Sequence, residues 1–191
     1  MTTIAEKYAP DLSTGGFSNK AVWICIRGTL LLYEEPNYNK NGGKLVEFIF
    51  WGENYCTSLK ALLGKASSLR FAGDMTDLRN PSMTLYEHIN FQGREDYITT
   101  RVSLPKEPWV NHASMIITGN SNWTIVDGAN YRGYWLCFYF SRAAEDFPAP
   151  VMIKNLNELR LFHGNIRSVI KGCPSNDGKR IDLSNYIVKN N

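Results

Sequence analysis

The chain has 191 residues, 43% hydrophobic, 13% aromatic and 20% charged, with a formal net charge of +3 from 21 Lys and Arg against 18 Asp and Glu. That length suits one ordinary domain or two small ones, the aromatic content excludes a disordered chain, and the lack of a heptad run excludes a coiled coil. Lys and Arg form no cluster, so no nucleic-acid footprint is expected, and no apolar run approaches the roughly 20 residues of a membrane span.

In chain order, the opening MTTIAEKYAPDLSTGG carries neither the basic nor the apolar region of a secretory signal, which leads to the expectation of a cytoplasmic protein. AVWICIRG at 21–28 is the first strand-like run. LLYEEPNY, ending at Tyr38, is then the first of three related segments, followed by LYEHINFQG ending at Gly93 and IVDGANYRG ending at Gly133. Tyr86, Glu87, Asn90, Phe91 and Gly93 of the second copy align with Val126, Asp127, Asn130, Tyr131 and Gly133 of the third. The first copy supplies Tyr33, Glu34, Asn37 and Tyr38, with its glycine displaced to Gly42 or Gly43.

Each copy leads into an apolar stretch: LVEFIF at 45–50, DYITT at 96–100 and YWLCFYF at 134–140. Each then passes through an irregular segment to a short strand-like run: SSLRF at 67–71, SMIIT at 114–118 and RSVIK at 167–171. SLKALLGK at 58–65 and NLNELRLF at 155–162 are the places for a helical turn. The unit is thus about four strands over 40–50 residues, repeated. Two aromatics five residues apart across a folded hairpin pack as a pair, and a glycine just after the second suits a position of positive φ.

LYEHINFQG, followed at the matching distance by SMIITGNSNW, resembles the Greek key motif of the βγ-crystallin superfamily, and the resemblance spans residues 21–173. It implies an all-β fold, a Greek key β-sandwich of the crystallin type in two domains with the first incomplete. The expected divisions are an N-terminal arm (1–20), a truncated domain (21–80) with one full motif and one preceding strand, a complete domain (81–173) and a C-terminal tail (174–191). A half-built sandwich leaves apolar surface uncovered, so the tail or the arm is expected to pack on the incomplete domain. Ser68 and Ser168 match the structural serine of the family, whose hydroxyl ties the folded hairpin to the sheet.

The resemblance also raises calcium, which needs about 6–8 oxygen ligands. The family supplies them from N/D-N/D-x-x-S/T-S before the last strand. Leu63 to Ser68 has lost both acidic or amide positions, and Arg167 sits within His163 to Ser168. The frame from Val110 to Met115 keeps one amide, Asn111, and one hydroxyl, Ser114. Calcium binding is therefore expected to be absent or weak, with Asn111 and Ser114 the one candidate pair and no other cofactor.

No catalytic motif is present. His88, His112 and His163 share no face and are expected to be structural or surface residues. The four cysteines have no metal spacing and are expected to be reduced. Cys25 and Cys137 would be small buried hydrophobes, and Cys56 and Cys173, in turn-like contexts, would be open to reaction or to pairing between chains. Asn122-Trp123-Thr124 is a lone glycosylation sequon, and five tryptophans point to large cores. The expected function is a non-enzymatic structural or stress-protective protein, with a homodimer or domain pairing as the expected association. The alternative is a protein- or glycan-binding module that uses the exposed surface of the incomplete domain.

Overall fold

Short runs of Leu, Ile, Met and aromatic residues, punctuated by Gly, Asn and Pro, form strands along the chain. The computed structural model describes residues 8–16, 23–41, 48–58, 66–77, 79–103, 112–141, 149–159, 165–174 and 179–186. Its contacts divide the chain into two units, 1–78 and 79–189.

The second unit contains β5 (Ser82–Tyr86), β6 (Glu95–Ile98), β7 (Val102–Ser103), β8 (Ser114–Thr118), β9 (Trp123–Val126), β10 (Trp135–Tyr139), β11 (Val151–Ile153), β12 (Ser168–Lys171) and β13 (Lys179–Asp182). One sheet runs β11-β8-β5-β6 and the other β13-β10-β9-β12-β7. Strands β5–β8 come from the second sequence repeat and β9–β12 from the third, and each repeat sends its third strand to the other's sheet. Thus β11 pairs with β8 and β7 with β12, both antiparallel. Met83, Leu85, Met115 and Ile117 of one sheet and Trp123, Ile125, Leu136, Phe138 and Val169 of the other belong to one core.

The tail extends this unit rather than the first. β13 lies parallel to β10, with Leu136 beside Lys179 and Tyr139 beside Asp182. Two residues apart, Ile181 and Leu183 reach the same core, Leu183 with 0% exposure. Of the two segments expected to pack on the first domain, the tail is corrected here: the outer edge of β10 and an apolar pair at strand spacing draw it to the second unit, and it is the arm that pairs in the first. Asp182 fixes the end of the strand, accepting hydrogen bonds from the backbone N–H groups of Ser184 (2.9 Å) and Ser141 (3.3 Å). The Ser141 side chain, then the Ser184 N–H, lower its carboxyl from 3.8 to about 2.

The first unit has the sheet β1-β4-β2-β3, from β1 (Tyr8–Ala9), β2 (Trp23–Tyr33), β3 (Phe48–Ser58) and β4 (Ser68–Ala72). Beside β4, the arm strand β1 stands where a third strand stands in the second unit. The details agree: Ala9 pairs with Leu69 as Ile153 pairs with Met115. Pro10 O accepts from Asn37 N (2.7 Å) as Lys154 O accepts from Asn90 N (2.8 Å). The N–H of Leu12 reaches Ser67 O as that of Leu156 reaches Ala113 O, each at 2.8 Å.

The run predicted at 21–28 enters β2 without a turn. A bulge between Ile26 and Gly28, where Gly28 has φ +109°, divides β2 into two halves. The second half pairs with both β3 and β4, and the first pairs with Tyr55–Ser58 at the end of β3.

Two further expectations, on the cysteines and on the tryptophans, are corrected. The cysteines form the disulfides Cys25–Cys56, between facing residues of β2 and β3, and Cys137–Cys173, between β10 and the segment just after β12; the partners are 31 and 36 apart in sequence. Cys25 is exposed rather than buried. Among the described tryptophans Trp123 alone is fully buried, whereas Trp23 is 67% exposed. The turn predicted at 155–162 is a 3-10 turn at Leu156–Leu159, and 59–65 lies outside the described residues.

Leu183→Ala should destabilise the second unit by about 2–4 kcal/mol in denaturant unfolding, as expected for an emptied core position. Because the Asp182 carboxyl is depressed in the fold, its stabilisation is complete above pH 4 and fades as pH falls towards about 2. Asp182→Asn should flatten that part of the stability–pH curve.

Candidate functional site

All three repeats fold back on themselves in the same way. After Tyr33, Tyr86 and Val126 the chain leaves its strand, and Asn37–Tyr38, Asn90–Phe91 and Asn130–Tyr131 take φ between +54° and +63°. Asn tolerates this left-handed region, which explains the Asn in the pattern. An aromatic residue there is strained by about 1–2 kcal/mol and needs an outside tie.

A serine at the start of each fourth strand supplies it. Ser68 Oγ donates to Glu35 O (2.6 Å) and accepts from Tyr38 N (3.1 Å). Ser114 Oγ donates to His88 O (2.6 Å) and accepts from Phe91 N (2.9 Å). Ser168 Oγ donates to Gly128 O (2.8 Å) and accepts from Tyr131 N (3.1 Å).

The remaining pattern residues complete the corner. Tyr33–Tyr38 and Tyr86–Phe91 pack edge to face, with centroids 5.7 and 5.6 Å apart. In the third repeat Val126 replaces the first aromatic, and the Arg101 guanidinium lies 3.7 Å from the centre of the Tyr131 ring. Glu87 accepts from Arg94 N (3.1 Å) and Asp127 from Tyr134 N (2.8 Å), so the acid clamps the far side of the fold. Burial raises the Glu87 carboxyl, but the Arg94 N–H and the charges of His88 and Arg94 outweigh it and leave the group below its ordinary value. Gly93 has φ +76°, and a Cβ there would lie 2.8 Å from the His88 ring. At Gly133 a Cβ would strike the Asp127 carboxylate.

No protein-family model matches the sequence, and no curated protein matches it at the sequence level. In three dimensions the chain is similar to Geodin, a βγ-crystallin of Geodia cydonium. The identity is 16%, the TM-score is 0.59, and the match covers 87% of this chain and 89% of that one. The chain has the βγ-crystallin fold. A βγ-crystallin from an archaeon also matches, at 16% identity and a TM-score of 0.37 over 48% of this chain and 96% of that one.

Within this crystallin fold the predicted motif residues gather into three separate corners: Tyr33, Tyr38 and Ser68; Tyr86, Phe91, Gly93 and Ser114; Tyr131, Gly133 and Ser168. Ser114, expected as a calcium ligand, thus takes the place of Ser68 and Ser168. Its hydroxyl proton and one lone pair are engaged by the hinge. Asn111 and His163 lie outside the described residues. Among the described residues no group of three or more His, Cys, Asp or Glu side chains converges on a metal position, and no helix is long and apolar enough to cross a membrane.

His88 is exposed, while the His112 side chain is 2% exposed and its Nε2 meets Asp96 Oδ2 at 2.7 Å. That pair links the start of β8 to the edge strand β6.

Sequence reasoning missed Arg70. It is 1% exposed, its Nε donates to Tyr33 Oη (2.9 Å), and its guanidinium lies 5.1 and 4.7 Å from the centres of the Tyr33 and Tyr38 rings. Ile116 and Ile170 take the same place after their corner serines. A lone cation between the apolar Leu69 and Phe71 of the strand-like run SSLRF was the available signal.

Ser114→Ala and Ser168→Ala each remove the hydroxyl that serves two backbone groups. Each should cost about 2–4 kcal/mol in denaturant unfolding, and Ser→Thr at either position should cost less because the hydroxyl is kept.

Proposed function

We propose that this chain is a non-enzymatic, βγ-crystallin-like structural protein that protects against stress through the persistence of its fold, with absent or weak calcium binding. The supporting observation is how the three corners use their polar side chains. The serine hydroxyls and the acids Glu87 and Asp127 bond to backbone groups of their own hinges. These residues hold structure instead of presenting chemistry to a ligand. The calcium part is supported by Ser114, whose hydroxyl already serves the corner, and by the lack of carboxylates in the three loop frames.

The two disulfides favour an oxidising compartment over a reducing one. The lone sequon lends no further support, because Trp123 and Thr124 are both fully buried.

A second reading, a binding module on the first unit, is favoured by Trp23, which stands 67% exposed on the first half of β2, the half that pairs on one side only among the described residues.

Light scattering from a heat-aggregating client protein should fall as the oxidised chain is added, and unchanged scattering would sink the protective role. Calorimetric titration with calcium should give only heats of dilution; micromolar affinity would overturn that part. For the second reading, oligosaccharides and extended peptides should change the tryptophan fluorescence of the wild type but not that of Trp23→Phe.

A further inference from the structure

The first half of β2 offers an open strand edge whose residue order complements itself. From Thr29 to Tyr33, β2 is flanked by both β3 and β4. From Trp23 to Ile26 it is paired, among the described residues, with β3 alone. In the second unit the corresponding fourth strand, β8, has a neighbour on each side, β11 and β5.

The backbone of this half is turned towards the open side. Cys25 and Cys56 face each other with Cα atoms 4.1 Å apart, the close spacing of a pair that exchanges no backbone hydrogen bonds. The N–H and C=O of Cys25 therefore point away from β3. The side chains alternate: Trp23 and Cys25 are exposed, whereas Ile24 and Ile26 pack in the core cluster of the unit. The edge carries no Lys or Pro, two of the usual guards against strand addition.

We propose that this edge pairs antiparallel with the same edge of a second copy of the chain, which deepens the binding-module reading by naming the partner. Centred on Cys25, the register sets Trp23 against Arg27 of the other copy, twice by symmetry, and Ile24 against Ile26. An indole then meets a guanidinium, aliphatic side chains meet on the core side, and no like charges face each other. Arg27 is exposed and free to meet that ring.

The product is a four-stranded antiparallel sheet, β3-β2-β2-β3. It reproduces the order of the complete sheet β11-β8-β5-β6, with the ribbon of the second copy in the lanes of β5 and β6. The Cys25–Cys56 disulfide holds each ribbon in register before the two meet. Because the contact is two-fold and uses the same surface on both chains, it closes at a dimer.

Sedimentation of the full-length, oxidised chain over a range of concentrations tests the contact. A reversible monomer–dimer equilibrium is expected. Trp23→Lys sets like charges in both outer pairings and should weaken the dimer about tenfold or more, with an unchanged thermal midpoint at concentrations low enough for both chains to be monomeric, because Trp23 is exposed. The double variant Trp23→Lys/Arg27→Glu places opposite charges in the same pairings and should restore it. A chain that stays monomeric overturns the proposal, as does a Trp23→Lys variant that dimerises like the wild type or a double variant that regains nothing. The wider binding reading is judged apart from this, by the oligosaccharide and peptide titrations.

Discussion

An aromatic residue in the left-handed region does not stay there unaided, and the serine that holds it comes from a strand 23–37 residues away in sequence. This dependence organises each repeat. The hinge can fold back only if the fourth strand lies beside the first, because only then does the serine hydroxyl reach both the carbonyl and the N–H of the hinge. Local strain is thereby converted into a requirement for a long-range pairing. The buried hydroxyls Ser68, Ser114 and Ser168 have 0% exposure, so their bonds face little competition from water.

The exchange of third strands is the second constraint. In the second unit it ties two repeats together, since neither sheet is complete without a strand from the other repeat. Among the described residues the first unit obeys the same rule with fewer strands. β1 fills the lane beside β4, and the end of β3 pairs with the start of β2. Among the described residues this leaves one edge of the first half of β2 unpaired. The second unit adds a strand beyond its two repeats, β13, and so covers the outer edge of β10. The two units thus treat these edges in opposite ways.

Much of the architecture was legible in the residue pattern. SMIIT was placed at 114–118, the span of β8, and the roles of Ser68 and Ser168 were implied by the family resemblance. Repetition makes such inferences strong, because three independent copies of Asn–aromatic reduce the weight of coincidence. Ser114 was read one place out of frame. The loop before it differs in length from its counterparts, and only the position of its hydroxyl relative to Phe91 sets the alignment. The cysteine pairs were not legible either. Cys25 meets Cys56 because β2 and β3 pair at one register, and Cys137 meets Cys173 across a sheet in which β9 lies between β10 and β12.

By itself, the sequence determined the local geometry: where strands run, where the chain folds back, and where a glycine after the second aromatic suits a positive φ. These follow from backbone sterics and side-chain shape, which act over a few residues. The tertiary structure alone decided which strands lie side by side, and with that the disulfides, the burial of Arg70 against two tyrosines, the choice of unit for the tail and the open edge at Trp23. Those depend on contacts between segments tens of residues apart, whose register is selected by the whole core and not by any one stretch of chain.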